Sequence, residues 1–307
     1  MNLFYYGNMK AEQDKTGLNA PLISIIVPVT QMVGRLGDLG SWLSLINFAK
    51  VEVVIVHDQQ DAHTSRELSH LISEYSDVIR IEQTFNSAGL ARNAGLEVAR
   101  GRWIAFWDSD DIPSVETLNN FIEQEKRDDA EIYVFNFDVQ RNDSLAQSVQ
   151  SKDWQQLAIN PGLWRLIFSR FTVQEVKFPS FPLGEDQYFL AQLGLPARKL
   201  QYVNQTLYTY KVGHQGQITS DNSKIKKLLV SLKALNRLRK DQNRNEFIFT
   251  SILFWRQLFT IIKRGQFSTR LIAISVGMRW LITPRIRTFW NLIALKKVLS
   301  YLANHHD

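Results

Sequence analysis

Between residues 22 and 118 the chain alternates short apolar runs with stretches that repeat at helical spacing, a pattern that few folds accommodate. Leu22-Ile23-Ser24-Ile25-Ile26-Val27-Pro28-Val29 is continuous and rich in β-branched residues, the composition of a strand covered on both faces. Leu36, Leu39, Leu43 and Ile46 then recur as one face of a helix. Val51 to Val56 reads as a second buried strand, with Leu68, Leu71, Ile72 and Tyr75 marking a second helix. A third strand over Val78 to Glu82, a third helix over Ala88 to Ala99 and a fourth strand over Trp103 to Trp107 continue the series. Strands and helices in strict alternation predict right-handed crossovers and a mostly parallel sheet. In such sheets ligands bind beyond the carboxyl ends of the strands, so His57-Asp58 and Asp108-Ser109-Asp110-Asp111 fall on the functional edge.

The fourth strand ends in three carboxylates within four residues. Acids packed this closely repel one another unless a cation sits between them. Oxygen ligands without Cys or His beside them suit a hard divalent ion, Mg2+ or Mn2+, and such an ion suits a diphosphate. The plain alternative is an Asp-rich turn after a strand.

The chain has 307 residues, 45% of them apolar, enough for one large or two modest cores. With no Cys it has neither a disulfide framework nor a thiolate metal site nor a Cys nucleophile. Its first residues lack the basic, apolar, small-residue order of a signal peptide, which leads us to expect a cytoplasmic protein. The net charge of +6 is divided unevenly. Residues 221–307 hold 17 Lys and Arg against 4 Asp and Glu, whereas residues 1–220 hold 19 against 26. That contrast predicts two regions in different surroundings, 1–220 and 221–307.

Two motifs occurring together carry a resemblance. Asn86-Ser87-Ala88-Gly89-Leu90-Ala91-Arg92-Asn93-Ala94-Gly95 is followed by Gly101-Arg102-Trp103-Ile104-Ala105-Phe106-Trp107-Asp108-Ser109-Asp110-Asp111. With Ile26-Val27-Pro28-Val29 before them, residues 22–118 resemble the nucleotide-binding half of the inverting family 2 glycosyltransferases. The resemblance implies an α/β GT-A fold, Rossmann-like with a mixed sheet, and a helical extension follows it here. It implies transfer of a sugar from a nucleotide-diphosphate donor, a UDP-sugar, to a glycan or lipid-linked acceptor in cell-surface polysaccharide synthesis. The acidic pair expected at the end of the second strand is His57-Asp58 here, followed by Gln59-Gln60.

Site roles follow from that resemblance. Asp110 is expected to hold Mn2+ or Mg2+, and Asp108 to accept from ribose hydroxyls or a metal-bound water. Arg92 can offer a planar fork of donors to the diphosphate, or lie on the wet face of an amphipathic helix. Asp58 is placed against the base, a helix cap or turn being the other reading, while His57 reads as a packed strand-end residue. Pro28 closes the first strand beside the donor. Phe178 to Leu190 resembles the family's Gly-Glu-Asp segment, which implies that Asp186, with Glu185 beside it, is the general base. Either acid could instead cap a helix over Gln187–Leu193. Lys211 and His214 are candidates for the diphosphate or metal, or residues of an exposed loop.

The tail differs in kind. Residues 224–240 are basic and amphipathic, and Phe247 to Ile262, Leu271 to Ile282 and Ile286 to Leu302 are apolar but broken by charge. None reaches the ~18–20 uncharged residues of a spanning helix. Trp255, Trp280 and Trp290 beside basic residues suggest an interfacial helix on an anionic membrane, at the inner face of the cell membrane. A soluble helical subdomain is the other reading. Nucleic acid is a weaker partner, because the basic residues sit among bulky aliphatics. The rivals to a transferase are a nucleotidyltransferase and a non-catalytic scaffold. The first would carry a Gly-rich phosphate loop, which Thr30-Gln31-Met32-Val33-Gly34-Arg35 matches poorly, and retention of Asp110 and Asp186 argues against the second. A glycoside hydrolase would have no use for the diphosphate-binding features.

Overall fold

The structure, a computed structural model, describes residues 20–58, 62–124, 129–141, 146–213, 222–281 and 285–304. Strand β1 (Ile23–Val29), helix α1 (Gly37–Leu43), β2 (Val51–Asp58), α2 (Ala62–Ile72), β3 (Val78–Gln83), α3 (Ala88–Val98) and β4 (Trp103–Phe106) follow the alternation read from the sequence. β5 (Ile112–Pro113), α4 (Val115–Glu123), β6 (Ile132–Arg141), β7 (Gln147–Val149), α5 (Trp154–Ile159), β8 (Leu166–Ser169), α6 (Arg170–Gln174), α7 (Glu185–Gln192) and β9 (Leu200–Val212) come next. The chain continues as α8 (Leu228–Leu238), α9 (Arg244–Arg264), α10 (Phe267–Leu281) and α11 (Arg285–Asn304).

The sheet order is β3-β2-β1-β4-β8-β6-β9-β5, with β7 on β6. β3, β2, β1 and β4 are mutually parallel, whereas β8 runs antiparallel to both β4 and β6, so the whole is mixed. Side chains alternate between its two faces with period two. Ile26, Val54, Val56, Ile104 and Phe106 face one core. Ile25, Val27, Val53, Ile55, Trp103 and Ala105 face the other. Coverage on both faces is why β1, β2 and β4 carry few polar residues. Ser24 and Glu52 are buried but satisfied, Ser24 Oγ donating to Glu52 at 2.6 Å and the Arg100 Nε at 2.6 Å completing the group.

The tail does not form a second core. Phe249, Leu253, Phe254, Trp280 and Val298 belong to the same apolar cluster as Ile26 and Phe106 of the sheet. The change of charge near residue 220 therefore separates two surfaces and not two interiors. α9 starts at a capping box, Asn243 accepting from the Glu246 N–H while the Glu246 side chain accepts from Asn243 N. Apolar around most of its circumference, it is buried as such helices must be.

This corrects the interfacial reading of Phe247–Ile262 and of two tryptophans. Trp255 and Trp280 are buried, and the indole N–H of each donates to Asn291 Oδ1 at 2.8 Å. Arg239 lies 4.2 Å over the Trp280 ring and donates to the Trp280 carbonyl at 2.8 Å. Tryptophan next to a cation looks the same in sequence whether its partner is a headgroup or a buried amide. Apolar surface remains exposed on α10 and α11, where Phe267 is 76%, Phe289 62% and Met278 58% accessible. Among the described residues no helix is long and apolar enough to cross a membrane.

Candidate active site

β1 and β4 pair in register from Ile23–Trp103 to Ile26–Phe106, and one further bond runs from Trp107 N to the Ile26 carbonyl. Beyond it, Pro28 has no N–H to offer a ladder. β4 leaves the sheet there, and Asp108, Ser109 and Asp110 line a cleft of about 780 Å3 at the point where strand order reverses. Pro28 and Asp58, at the ends of β1 and β2, also line it.

Arg92 organises the acids. Its Nη2 donates to Asp108 Oδ1 at 2.8 Å and its Nη1 to Glu185 Oε1 at 2.9 Å. The guanidinium is 7% exposed and Glu185 12%. One buried cation thus joins the loop after β4 to the start of α7, elements far apart in sequence. Burial works against the Arg92 charge, but Asp108, Glu185 and Asp186 outweigh it and hold the pKa above the usual arginine value. The two terminal nitrogens expected at the diphosphate are thus engaged by carboxylates. Gly89, one turn earlier, permits the approach, since a Cβ there would lie 2.5 Å from the Pro179 carbonyl.

Asp186 sits at the second position of α7 and lines the same cleft. The helix begins at Glu185, two residues earlier than predicted, and its cap is Gly184 in the left-handed region at φ +80°. Neither acid is the cap, and while Glu185 is held by Arg92, Asp186 faces the cleft. The Gly184 turn is pinned by Ser231 Oγ donating to its carbonyl at 3.0 Å. Burial, then the Glu185 charge, pushes the Asp186 pKa up to about 7, against the pull of Arg92 and of the Gln187 N–H. A carboxylate poised near neutrality is suited to accept a proton in a reaction run near that pH.

Asp111 is buried, accepts from Lys211 N at 2.8 Å and has Oδ2 unpartnered. Burial, then Asp108 and Asp110, pushes its pKa well up. Among the described residues no three His, Asp or Glu side chains gather closely enough to hold a metal by themselves. Oxygen donors of the right hardness are present, and an Mg2+-like ion commonly takes its other ligands from substrate phosphates and water. The donor set therefore fits a divalent cation shared with a diphosphate.

Other sequence candidates fall in varied places. Asp58 Oδ2 accepts from the N–H of Asn86, which itself adopts φ +54°, so this carboxylate fastens the turn before α3 while facing the cleft. His57 is fully buried with Nδ1 3.2 Å from Glu82, a packed strand-end histidine as expected. The Lys211 ammonium is 2.6 Å from Asp38 Oδ2. His214 and Gln59-Gln60 lie outside the described residues.

Three contributors escaped the sequence reading. Tyr208 bonds the backbone of Asp108, its hydroxyl accepting from the Asp108 N–H at 2.9 Å. Trp164 lines the cleft and stacks on Tyr208 and Tyr210 at 4.6 and 5.5 Å. From α9, Arg256, Gln257, Thr260 and Arg264 also line it. The signal for Arg256 was visible as a charge interrupting an apolar run.

Comparison with known proteins agrees with this geometry. The model of glycosyl transferase family 2 matches residues 24–189, which take in β1, the Asp108–Asp110 loop, Glu185 and Asp186. The chain is similar to the protein named glycosyltransferase GlyA of Streptococcus pneumoniae, 26% identical over 62% of this chain and 30% of that one. It thus spans less than a third of that relative's length. In fold it is similar to S. aureus TarS 1-349, solved with UDP-GlcNAc, with a TM-score of 0.62 at 14% identity over 92% of each chain. The mannosyltransferase PcManGT of Pyrobaculum calidifontis, solved with GDP-Man and Mn2+, is similar with a TM-score of 0.55 at 14% identity, over 91% of this chain and 87% of that one. The chain has a GT-A fold and belongs to glycosyl transferase family 2.

Proposed function

We propose that the protein transfers a sugar from a UDP-sugar to a glycan or lipid-linked acceptor with inversion, with a divalent cation at Asp110. The observation that carries this reading is the Arg92 bridge, which turns Asp108 and the Glu185–Asp186 pair toward one cleft. Nucleotide-sugars in the similar TarS and PcManGT structures support the donor class.

In this reading Asp186 takes the proton of the acceptor hydroxyl as its oxygen bonds to the anomeric carbon. The bond from that carbon to the diphosphate oxygen breaks on the opposite face. Mn2+ or Mg2+ held by Asp110, with Asp108 beside it, would supply neutralisation of the departing diphosphate. Arg92 holds Asp108 and Glu185 in place, and Asp58 faces the base of the nucleotide. A panel of nucleotide-sugars, screened for thermal stabilisation of the full chain with Mn2+ present, tests the donor class. Stabilisation by UDP-sugars above other nucleotides is the expected result, and none by any nucleotide-sugar would overturn it.

The exposed apolar side chains of α10 and α11, in a segment of +13 net charge, support attachment to an anionic membrane at the cytoplasmic face. The full chain should sediment with anionic liposomes and be partly released by high salt. Equal recovery in the supernatant with anionic, neutral and no liposomes would exclude it.

A further inference from the structure

Arg256 is an anomaly within α9. Its neighbours Trp255 and Leu258 are buried in the core, but its own side chain reaches the cleft. Nη1 is buried without a hydrogen-bond partner. The adjacent Gln257 donates through Nε2 to Gln187 Oε1 at 3.1 Å and Ser231 Oγ at 3.0 Å, leaving its own Oε1 unpartnered. Arg256 is partly buried, and a guanidinium nitrogen withdrawn from water without a partner is costly, yet the fold keeps it. Burial lowers the Arg256 pKa, and Tyr301 and Asp186 oppose that, which puts the guanidinium within the field of Asp186.

Arg256 therefore belongs to the half of the cleft where, on the transferase reading, an acceptor hydroxyl meets Asp186. The donor half is built from the ends of β1, β2 and β4. Arg264 and Lys227, also from the basic tail, line the same cleft. We propose that the acceptor carries a phosphoryl group and that Arg256 is its anchor, with Lys227 and Arg264 adding positive potential. A guanidinium offers a planar fork that matches two phosphoryl oxygens, whether of a monoester or of a diester, and the neighbouring cations add to the pull on an anion. The phosphoryl group can belong to a polyol-phosphate chain or to a lipid carrier. This inference rests on the transferase reading for what it calls the acceptor side.

The test uses the full chain saturated with UDP and Mn2+. Calorimetric titration compares a short polyol-phosphate oligomer with its dephosphorylated counterpart. A second arm compares a polyprenyl phosphate with the free polyprenol in one detergent. The phosphorylated member of at least one pair should bind about tenfold tighter or better, and the arm that shows it identifies the source. Arg256→Gln should bring the two members of that pair within about twofold, with UDP affinity likewise within about twofold of the parent. Arg256→Lys, which keeps the charge and loses the fork, should fall between them and carries the comparison if the Gln variant does not fold. Equal binding within both pairs would overturn the proposal. So would a loss of UDP affinity in Arg256→Gln as large as the loss for the phosphorylated probe, since the guanidinium would then serve the donor. A parent chain that binds no UDP but retains the Arg256-dependent phosphate preference would overturn the transferase reading and leave the anion site standing.

Discussion

Arg92 and Arg256 line the same cleft, yet the first has both terminal nitrogens on carboxylates and the second leaves a buried nitrogen without a partner. The sheet-derived lining pairs its cation with carboxylates, although Arg92 Nε and Asp111 Oδ2 are buried without a hydrogen-bond partner. Its cation is consumed in holding Asp108 and Glu185, so it is rigid before any substrate arrives and orients acids that would otherwise repel. In the helix-derived lining Arg256 Nη1 and Gln257 Oε1 are buried without a hydrogen-bond partner. A site that completes its charges internally preorganises chemistry, whereas one that leaves a cationic donor open awaits a ligand.

The largest effect expected is on Asp186. Asp186→Asn should lower transfer by roughly 10²–10⁴ while leaving nucleotide binding nearly intact, because the group acts on the acceptor. Unchanged turnover with lost nucleotide affinity would move Asp186 to the donor side. In the parent, kcat/KM should rise with pH through about 7 as Asp186 loses its proton, and the Asn variant should lack that limb. Stability should run the other way. A carboxyl whose folded pKa is raised contributes stability that is full below the ordinary carboxylate pKa and is lost as pH rises through about 7. Urea titrations at several pH values should show this slope, and it should be absent in Asp186→Asn.

The arginines provide the direct contrast. Arg92→Ala leaves two carboxylates facing each other in a buried setting and should cost about 3–5 kcal/mol of folding stability. Arg256→Gln removes a partly buried guanidinium with one unpartnered nitrogen and should leave the urea midpoint unchanged or raised. Equal destabilisation by both would show that Arg256 is a structural residue like Arg92.

Gly184→Ala comes next. At φ +80° an added Cβ would meet Ser231 Oγ at 2.8 Å, and the strain should cost about 1–3 kcal/mol while displacing Asp186. A transfer rate that falls more than the stability loss explains would identify the turn as a positioning element.

The smallest stability effect belongs to the outer face of the tail. Phe267→Ser with Phe289→Ser should change stability by no more than about 0.5 kcal/mol each, because both side chains are already in solvent. The same pair should measurably reduce liposome sedimentation. Undiminished sedimentation would place the membrane contact elsewhere.

The sheet half was legible because its information is local. The β-branched runs, the Asn86–Gly95 helix and the acids after Trp107 each declare their element within about ten residues of chain. The parallel run of β1 to β4 and the position of the acids at their carboxyl ends followed from the strand–helix alternation and the rule for open sheets. The tail was not legible in the same way. A helix apolar on most sides has two solutions, lipid or a protein core, and its composition is common to both.

Only tertiary structure decided between them, by packing α9 against α5, α7 and α8 in the core that Ile104 and Phe106 share, and by giving the Trp255 and Trp280 indoles one shared acceptor in Asn291. It also decided that Arg92 spends its fork on Asp108 and Glu185. Residue types state which charges a chain owns, but which of them meet depends on contacts between segments distant in sequence. The strands, their parallel direction and the acids at their edge were in the amino-acid sequence because period, handedness and like-charge crowding act over short stretches. The pairing of Arg92 and the unpartnered nitrogen of Arg256 were not, because both arise where α3, α7 and α9 come together in space.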